Sequence, residues 1–154
     1  SGTQAPWSSP RVVCWCTGSD AGITPDDALV ICTDTFNIQA AYQAMNRALD
    51  SGMDFTAVFA ISDNMAIGAM RSLREHGRTV PDDCSVIAID GIEVSDYIDP
   101  PLTTLCQPME KMGQRSMEIL LDMIEGRAGN CHEVLPTVLR IGGSVKTLVG
   151  NGMK

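Results

Sequence analysis

Basic charge is scarce in this 154-residue chain: 11 Lys and Arg stand against 19 Asp and Glu, a formal net charge of −8. Nucleic-acid binding needs clustered Lys and Arg facing the phosphates, so this region is not expected to touch nucleic acid directly. Histidine is scarcer still, with only His76 and His132. The six cysteines, at 14, 16, 32, 84, 106 and 131, therefore lack the imidazole partners of a common zinc site, and Cys14-Trp15-Cys16 has the wrong spacing for one. No metal and no cofactor are expected. Four of the cysteines sit in or beside apolar runs, where a free thiol behaves as a small hydrophobe, and a chain this long does not need disulfides. Long apolar runs are missing too. None approaches the roughly 20 residues that cross a bilayer, and there is no positively charged signal peptide. The expectation is a cytoplasmic protein with no membrane partner. Catalytic signatures are likewise lacking: no Gly-x-Ser-x-Gly elbow, no Walker loop, and no Gly-x-Gly-x-x-Gly after a strand. Cys106 has no His near it in sequence to activate it. Enzyme activity is not expected.

Apolar residues make up 44% of the chain, enough to bury a core as one domain. The stretch from Thr56 to Gly91 organises the rest. Thr56 to Ile61 is a short apolar run, Met65 to His76 carries apolar residues at helical spacing before Gly77, and Ser85 to Ile89 is a second apolar run ending in Asp90-Gly91. Strand, crossover helix and strand, with continuous apolar strands, is the pattern of a parallel βαβ unit covered on both faces.

Before it, Pro10 opens a poor helix over Arg11 to Ser19, Ala21 to Asp27 is a turn, and Ala28 to Cys32 reads as a buried strand. A helix from Ile38 to Leu49 follows, N-capped by Asn37, with Ile38, Ala41, Tyr42, Met45 and Leu49 on one face, and Gly52 ends it. After it, Pro100-Pro101 forbids a helix, and Leu102 to Cys106 has strand character. A long helix from Met109 to Glu125 carries a stripe of Met109, Met112, Ser116, Ile119, Leu120 and Met123 that is expected to be buried, and Gly126 and Gly129 close it. Val134 to Ile141, interrupted by Pro136, suggests an edge strand. The rhythm predicts an α/β class with a largely parallel sheet.

Ligands on such sheets sit outside the carboxyl ends of the strands. Thr33 to Asn37, Ser62 to Asn64, Asp90 to Glu93 and Gln107 leave those ends, and the first loop also carries Phe36. An aromatic face with hydroxyl, amide and carboxylate groups suits a sugar or a nucleobase. Each Asp or Ser alone would be an ordinary N-cap; their joint placement points to a binding cleft. Met65, Ile67 and Met70 spread over more than one face of their helix, the pattern of an element buried on two sides, one of them against a partner subunit.

Three segments carry a resemblance. Ser62-Asp-Asn-Met-Ala-Ile-Gly-Ala-Met-Arg71, Val80-Pro-Asp-Asp-Cys-Ser-Val-Ile-Ala-Ile-Asp90 and Pro101-Leu-Thr-Thr-Leu-Cys-Gln-Pro108 resemble, in order and spacing, the effector-binding domain of LacI/GalR-family transcription regulators. The family pattern is Asn-Asp-x-Met-Ala-x-Gly, then Val-Pro-x-Asp-x-Ser-Val-x-Gly-(Phe/Tyr)-Asp, then Pro-x-Leu-Thr-Thr-(Ile/Val)-x-Gln. The resemblance spans about Arg11 to Arg140, with Cys14, Ala40-Ala41 and Ala88-Ile89 departing from the family's residues. It implies a periplasmic-binding-protein type I fold, a Rossmann-like three-layer sandwich of which this chain is a truncated half. Residues 1–107 would form most of the C-terminal effector-binding subdomain. Residues 108–130 would be a helix of the N-terminal subdomain, 131–141 a returning strand and 142–154 a tail.

The resemblance further implies that Arg11, Phe36, Ser62, Asp63, Asp90 and Gln107 meet a sugar or nucleobase effector, with Asp63 also capping its helix and orienting the site. Met65, Ile67, Met70, Ser95 and Tyr97 would lie at a homodimer interface. Operator DNA would be reached only through an N-terminal domain outside this chain. With half the cleft missing, the chain alone is expected to bind effector weakly. The alternative reading is a fragment of a periplasmic sugar-binding protein of the same fold.

Overall fold

A computed structural model describes residues 27–127 and 132–147. The expected helix at Arg11 to Ser19 and most of the turn after it lie outside the described residues. The first described stretch departs from expectation. Asp27–Leu29 winds into a 3-10 turn closed by Val30 N–H donating to the Asp27 carbonyl at 3.2 Å, and only Cys32 makes a bridge. Ile31 and Thr33 are buried while Cys32 is exposed, so the backbone alternates as a strand does, with no ladder among the described residues. An apolar run is strand-like only where a neighbouring strand takes up its hydrogen bonds.

The remaining elements follow the sequence pattern closely. Helix α1 is Ile38–Asp50, strand β1 Ala57–Phe59, helix α2 Asp63–Glu75 and strand β2 Ser85–Asp90. Strand β3 is Thr103–Cys106, helix α3 Met109–Ile124 and strand β4 Val138–Arg140. The sheet order is β1-β2-β3-β4, with β1, β2 and β3 parallel and β4 antiparallel at the edge. This is the expected α/β class with a mostly parallel sheet.

Local signals explain the helix bounds. Asn37 caps α1 by accepting from Ala40 N–H at 2.7 Å, and Ser62 caps α2 by accepting from Met65 N–H at 3.3 Å. Helices α1, α2 and α3 end alike. Gly52, Gly77 and Gly126 sit just past the last turn at φ of 78°, 72° and 70°, and the amides of Met53, Arg78 and Arg127 reach back to the carbonyls of Ala48, Leu73 and Asp122. That paired reach-back needs a left-handed residue, which is why glycine stands there.

The core joins Ala41, Ala44, Met45 and Ala48 of α1 to Met65, Ala66, Ala69 and Leu73 of α2, with Val58, Val86, Ala88 and Leu102 from or beside the strands. The alanines let the two helices come close. Gly68 marks the tightest point, where an added Cβ would lie 2.2 Å from the Ile38 carbonyl oxygen. The buried face of α1 is thus turned slightly from the one predicted: Ile38 is exposed and Tyr42 half-buried.

A polar seam closes the outer side of this helix pair. Ser72 Oγ donates to Asn46 Oδ1 at 2.5 Å, and Tyr42 OH donates to Glu75, which also pairs with Arg71 at 2.9 Å. At the helix ends, His76 places Nδ1 2.9 Å from the Ser72 carbonyl and Nε2 3.1 Å from Asp50 Oδ1. Both neighbours are acceptors, and only the imidazolium can donate to both at once. The Ser72 carbonyl and then Asp50 accordingly raise the His76 pKa above 6.5. A raised pKa makes this contact stabilising below the unfolded value, and the contribution is lost as the pH rises through the folded one. Urea denaturation at about pH 6 and about pH 8 should show a higher midpoint at the lower pH, and His76→Gln should flatten that difference. An unchanged difference in the variant would remove His76 as its source.

Helix α3 behaves differently. None of its residues is buried; Met109, Met117, Leu120, Leu121, Met123 and Ile124 are exposed, the last to 73%. Of the stripe expected to be buried, Met109, Leu120 and Met123 are exposed, while Met112, Ser116 and Ile119 line a cavity with Glu133 and Leu135.

Candidate functional site

Parallel pairing puts the carboxyl ends of β1, β2 and β3 along one edge, which places Ser62, Asp90 and Gln107 there. Two of them touch. Gln107 Nε2 donates to Asp90 Oδ1 at 2.9 Å, and Gln107 N–H donates to the Asp90 carbonyl at 3.1 Å. Asp90 sits at φ 131°, a region that side chains avoid, so its carboxyl is aimed by a strained backbone. Gly91 follows at φ 78°, and a Cβ there would lie 2.5 Å from Cys106 Sγ. Glycine is required for β2 to turn away beside β3.

The Asp90 carboxyl lies above its ordinary pKa, first because burial disfavours its charge and second because Asp63 is close. Hydrogen bonds from the Asp63 backbone and the Gln107 side chain oppose that shift. Oδ1 is held by Gln107; Asp90 remains half-buried rather than sealed, so its carboxyl can accept hydrogen bonds from a ligand hydroxyl.

Asp63 occupies a different place from the other polar residues at this edge. It is fully buried, and both its oxygens are engaged inside the chain. Oδ2 accepts from Gly91 N–H at 3.0 Å, Ile92 N–H at 2.8 Å and Ser95 Oγ at 2.7 Å, while Oδ1 accepts from Thr104 Oγ1 at 2.5 Å. The carboxylate therefore organises the loop after Asp90 instead of opening to the cleft. Ser62, not Asp63, supplies the side-chain cap of α2. Phe36 stands in the loop before α1 and is 54% exposed, and Thr33 Oγ1 and Asn37 brace that loop through Thr35. Arg11 lies outside the described residues.

The residues expected at a subunit interface divide. Met65 and Met70 belong to the core between α2 and the sheet, and Ser95 is buried by its bond to Asp63. Met65 and Met70 are buried because the apolar positions of α2 serve the α1 contact and the sheet together, and Met70 also lines a groove beside Ile67. Ile67 is half-buried and Tyr97 is 78% exposed. Ile67 lines a groove of about 550 Å³ with Arg71, Arg74, Ile98 and Pro100. A second cavity, of about 340 Å³, runs from Gln107 along Met112 and Arg115 of α3 to Glu133 and Leu135. Arg115 pairs with Glu133 at 2.8 Å across it.

Sequence reasoning did not find Thr104, Ser144 or Arg140. Ser144 is buried, accepting from Thr103 N–H at 2.8 Å and donating to the Val86 carbonyl at 2.6 Å. Each of these roles links segments tens of residues apart, and only the Thr103-Thr104 pair stood inside a motif. Among the described residues, no group of three or more His, Cys, Asp or Glu is placed to hold a metal, and no helix is long and apolar enough to cross a membrane.

Comparison with known proteins agrees with this geometry. Residues 12–145 match the family model of the periplasmic binding protein-like domain. The chain is 40% identical over 114 residues to the HTH-type transcriptional regulator MalR of Clostridium butyricum, covering 74% of this chain and 34% of that protein. Among solved structures it resembles the transcriptional regulator CelR–cellobiose complex, with a TM-score of 0.76 and 38% identity over 82% of this chain and 38% of that one. It also resembles the lac repressor dimer bound to operator and the anti-inducer ONPF, with a TM-score of 0.69 and 33% identity over 72% of this chain and 39% of that one. The chain thus spans about a third of the length of the curated relative it matches.

Proposed function

Because the chain belongs to the periplasmic binding protein-like domain family, in its LacI-type transcription-regulator branch, we propose that it is the effector-binding and dimerisation part of a transcriptional repressor. The observation that carries this reading is the bonded pair Asp90–Gln107, held on a strained turn at the carboxyl edge of the sheet. A half-buried carboxyl, an amide beside it and the exposed Phe36 ring suit a sugar, whose hydroxyls need directed acceptors and whose ring face needs an apolar platform. Cellobiose in the CelR complex shows that class of ligand on a related chain. The relatives' regulatory roles favour this reading over a periplasmic transport protein. They equally favour a cytoplasmic, non-enzymatic role.

In this reading α3 belongs to the other subdomain of the full-length protein, which the exposure of Met109, Met117, Leu120, Leu121, Met123 and Ile124 supports. Gln107 and β4 then lie where the chain leaves and returns. Effector between the subdomains favours one closure angle, and the equilibrium of paired DNA-binding domains shifts with it. DNA contact comes from the N-terminal domain, consistent with the acidic charge of this region.

Isothermal calorimetry on the full-length protein with cellobiose, lactose, ribose and purine nucleosides tests the proposal. One class should bind, and Asp90→Ala should weaken it about 10- to 100-fold, the loss of a hydrogen-bonded charged acceptor. Unchanged affinity in the variant, or no binding across the panel, would refute the site.

A further inference from the structure

The loop from Gly91 to Tyr97 joins the cleft residue Asp90 to the most exposed aromatic described on this face, and two side chains grip it from opposite sides. Asp63 holds the inner side through Gly91, Ile92 and Ser95. Arg140 holds the outer side: Nη2 donates to the Ile92 carbonyl at 3.0 Å and Nη1 pairs with Asp96 Oδ2 at 3.0 Å. The two grips are themselves joined. Arg140 is the ladder partner of Thr104, and Thr104 Oγ1 is bonded to Asp63.

Arg140 is not placed as a surface arginine would be. Its Nε is buried without a hydrogen-bond partner, a cost that a side chain free to turn into solvent would avoid. The guanidinium fork stays because its two outer nitrogens meet two acceptors on one loop, and a Lys ammonium could not match that geometry. The loop it holds ends in Tyr97, whose amide closes the 3-10 turn on Val94 at 3.1 Å.

We propose that Arg140 is a positioning residue for the subunit interface, setting the placement of Tyr97 from strand β4. This rests on the reading of Tyr97 as an interface residue.

A double-mutant cycle on the full-length protein, read by sedimentation as the dimer dissociation constant, tests it. Tyr97→Ala should weaken the dimer about 100-fold, as loss of an aromatic anchor does. Arg140→Gln should weaken it about tenfold in the Tyr97 background and have no effect in the Tyr97→Ala background, because it acts through that ring. Hydrogen exchange of the amides from Ile92 to Tyr97 should rise in Arg140→Gln. If Arg140→Gln does not fold, Asp96→Asn breaks the same bridge from its exposed side and carries the same expectations. An unaltered dimer in Arg140→Gln, or the same loss in both backgrounds, overturns the positioning role while leaving Tyr97 at the interface. An unaltered dimer in Tyr97→Ala overturns the interface reading itself, and the inference with it.

Discussion

Asp63→Ala is expected to destabilise the protein by about 3–5 kcal/mol, a large share of a typical domain's stability of about 5–15 kcal/mol. The side chain is fully buried and accepts four hydrogen bonds, from Gly91, Ile92, Ser95 and Thr104. Alanine leaves two amides and two hydroxyls facing an apolar gap. The hydroxyls can rotate to other acceptors; the amides of Gly91 and Ile92 cannot, because the turn fixes them. Asp63→Asn should cost less. Its carbonyl can serve the Gly91, Ile92 and Ser95 donors, and the Thr104 hydroxyl can turn to accept from its amide. Urea denaturation of the three proteins should rank wild type above Asp63→Asn above Asp63→Ala. An alanine variant within about 1 kcal/mol of wild type would mean that the network is not a structural centre. Ligand affinity should fall as well, since the turn that Asp63 holds is the one that aims Asp90.

Gly68→Ala should be nearly as damaging, although alanine is the better helix former by about 1 kcal/mol. The new Cβ would lie 2.2 Å from the Ile38 carbonyl oxygen, 2.9 Å from the Tyr42 amide nitrogen and 3.1 Å from the Ile38 carbonyl carbon. All three are backbone atoms of α1, so no side chain can move aside and the helix must shift as a body. Overpacking of that kind costs about 1–3 kcal/mol or more and outweighs the propensity gain. Gly113→Ala in α3 is the opposite case, because nothing lies within 4 Å of its Cβ. Thermal melts should therefore move down for Gly68→Ala and stay level or move up for Gly113→Ala. The same direction in both would show that helix propensity, not the α1–α2 contact, decides.

Elements defined by local rules are legible in the sequence. Helix periodicity, the cap Asn37 and the glycines at 52, 77 and 126 locate α1, α2 and α3, because capping and reach-back hydrogen bonds join residues within a turn of one another. The apolar runs that form β2 and β3 are legible because a parallel strand covered on both faces is continuously apolar. The run from Ala28 to Cys32 pairs with no strand among the described residues, and a strand depends on a neighbour that no local pattern names. The candidate site is legible as a set of loop ends, because parallel topology places all strand ends of one sense on one edge.

What the sequence by itself determined is therefore the α/β class, the order of elements and the edge on which Asp90 and Gln107 meet. Only the tertiary structure decided which side chains face inward. Met65 and Ser95 were expected at an interface yet are buried, whereas Met109, Leu120 and Met123 of the α3 stripe are exposed. Periodicity states which residues share a face and says nothing of what covers it. The role of Asp63 was likewise hidden, because its four partners lie 28 to 41 residues away and meet it only when β2 and β3 pair. Burial and long-range hydrogen bonding are properties of the assembled chain, set by packing that no local pattern encodes.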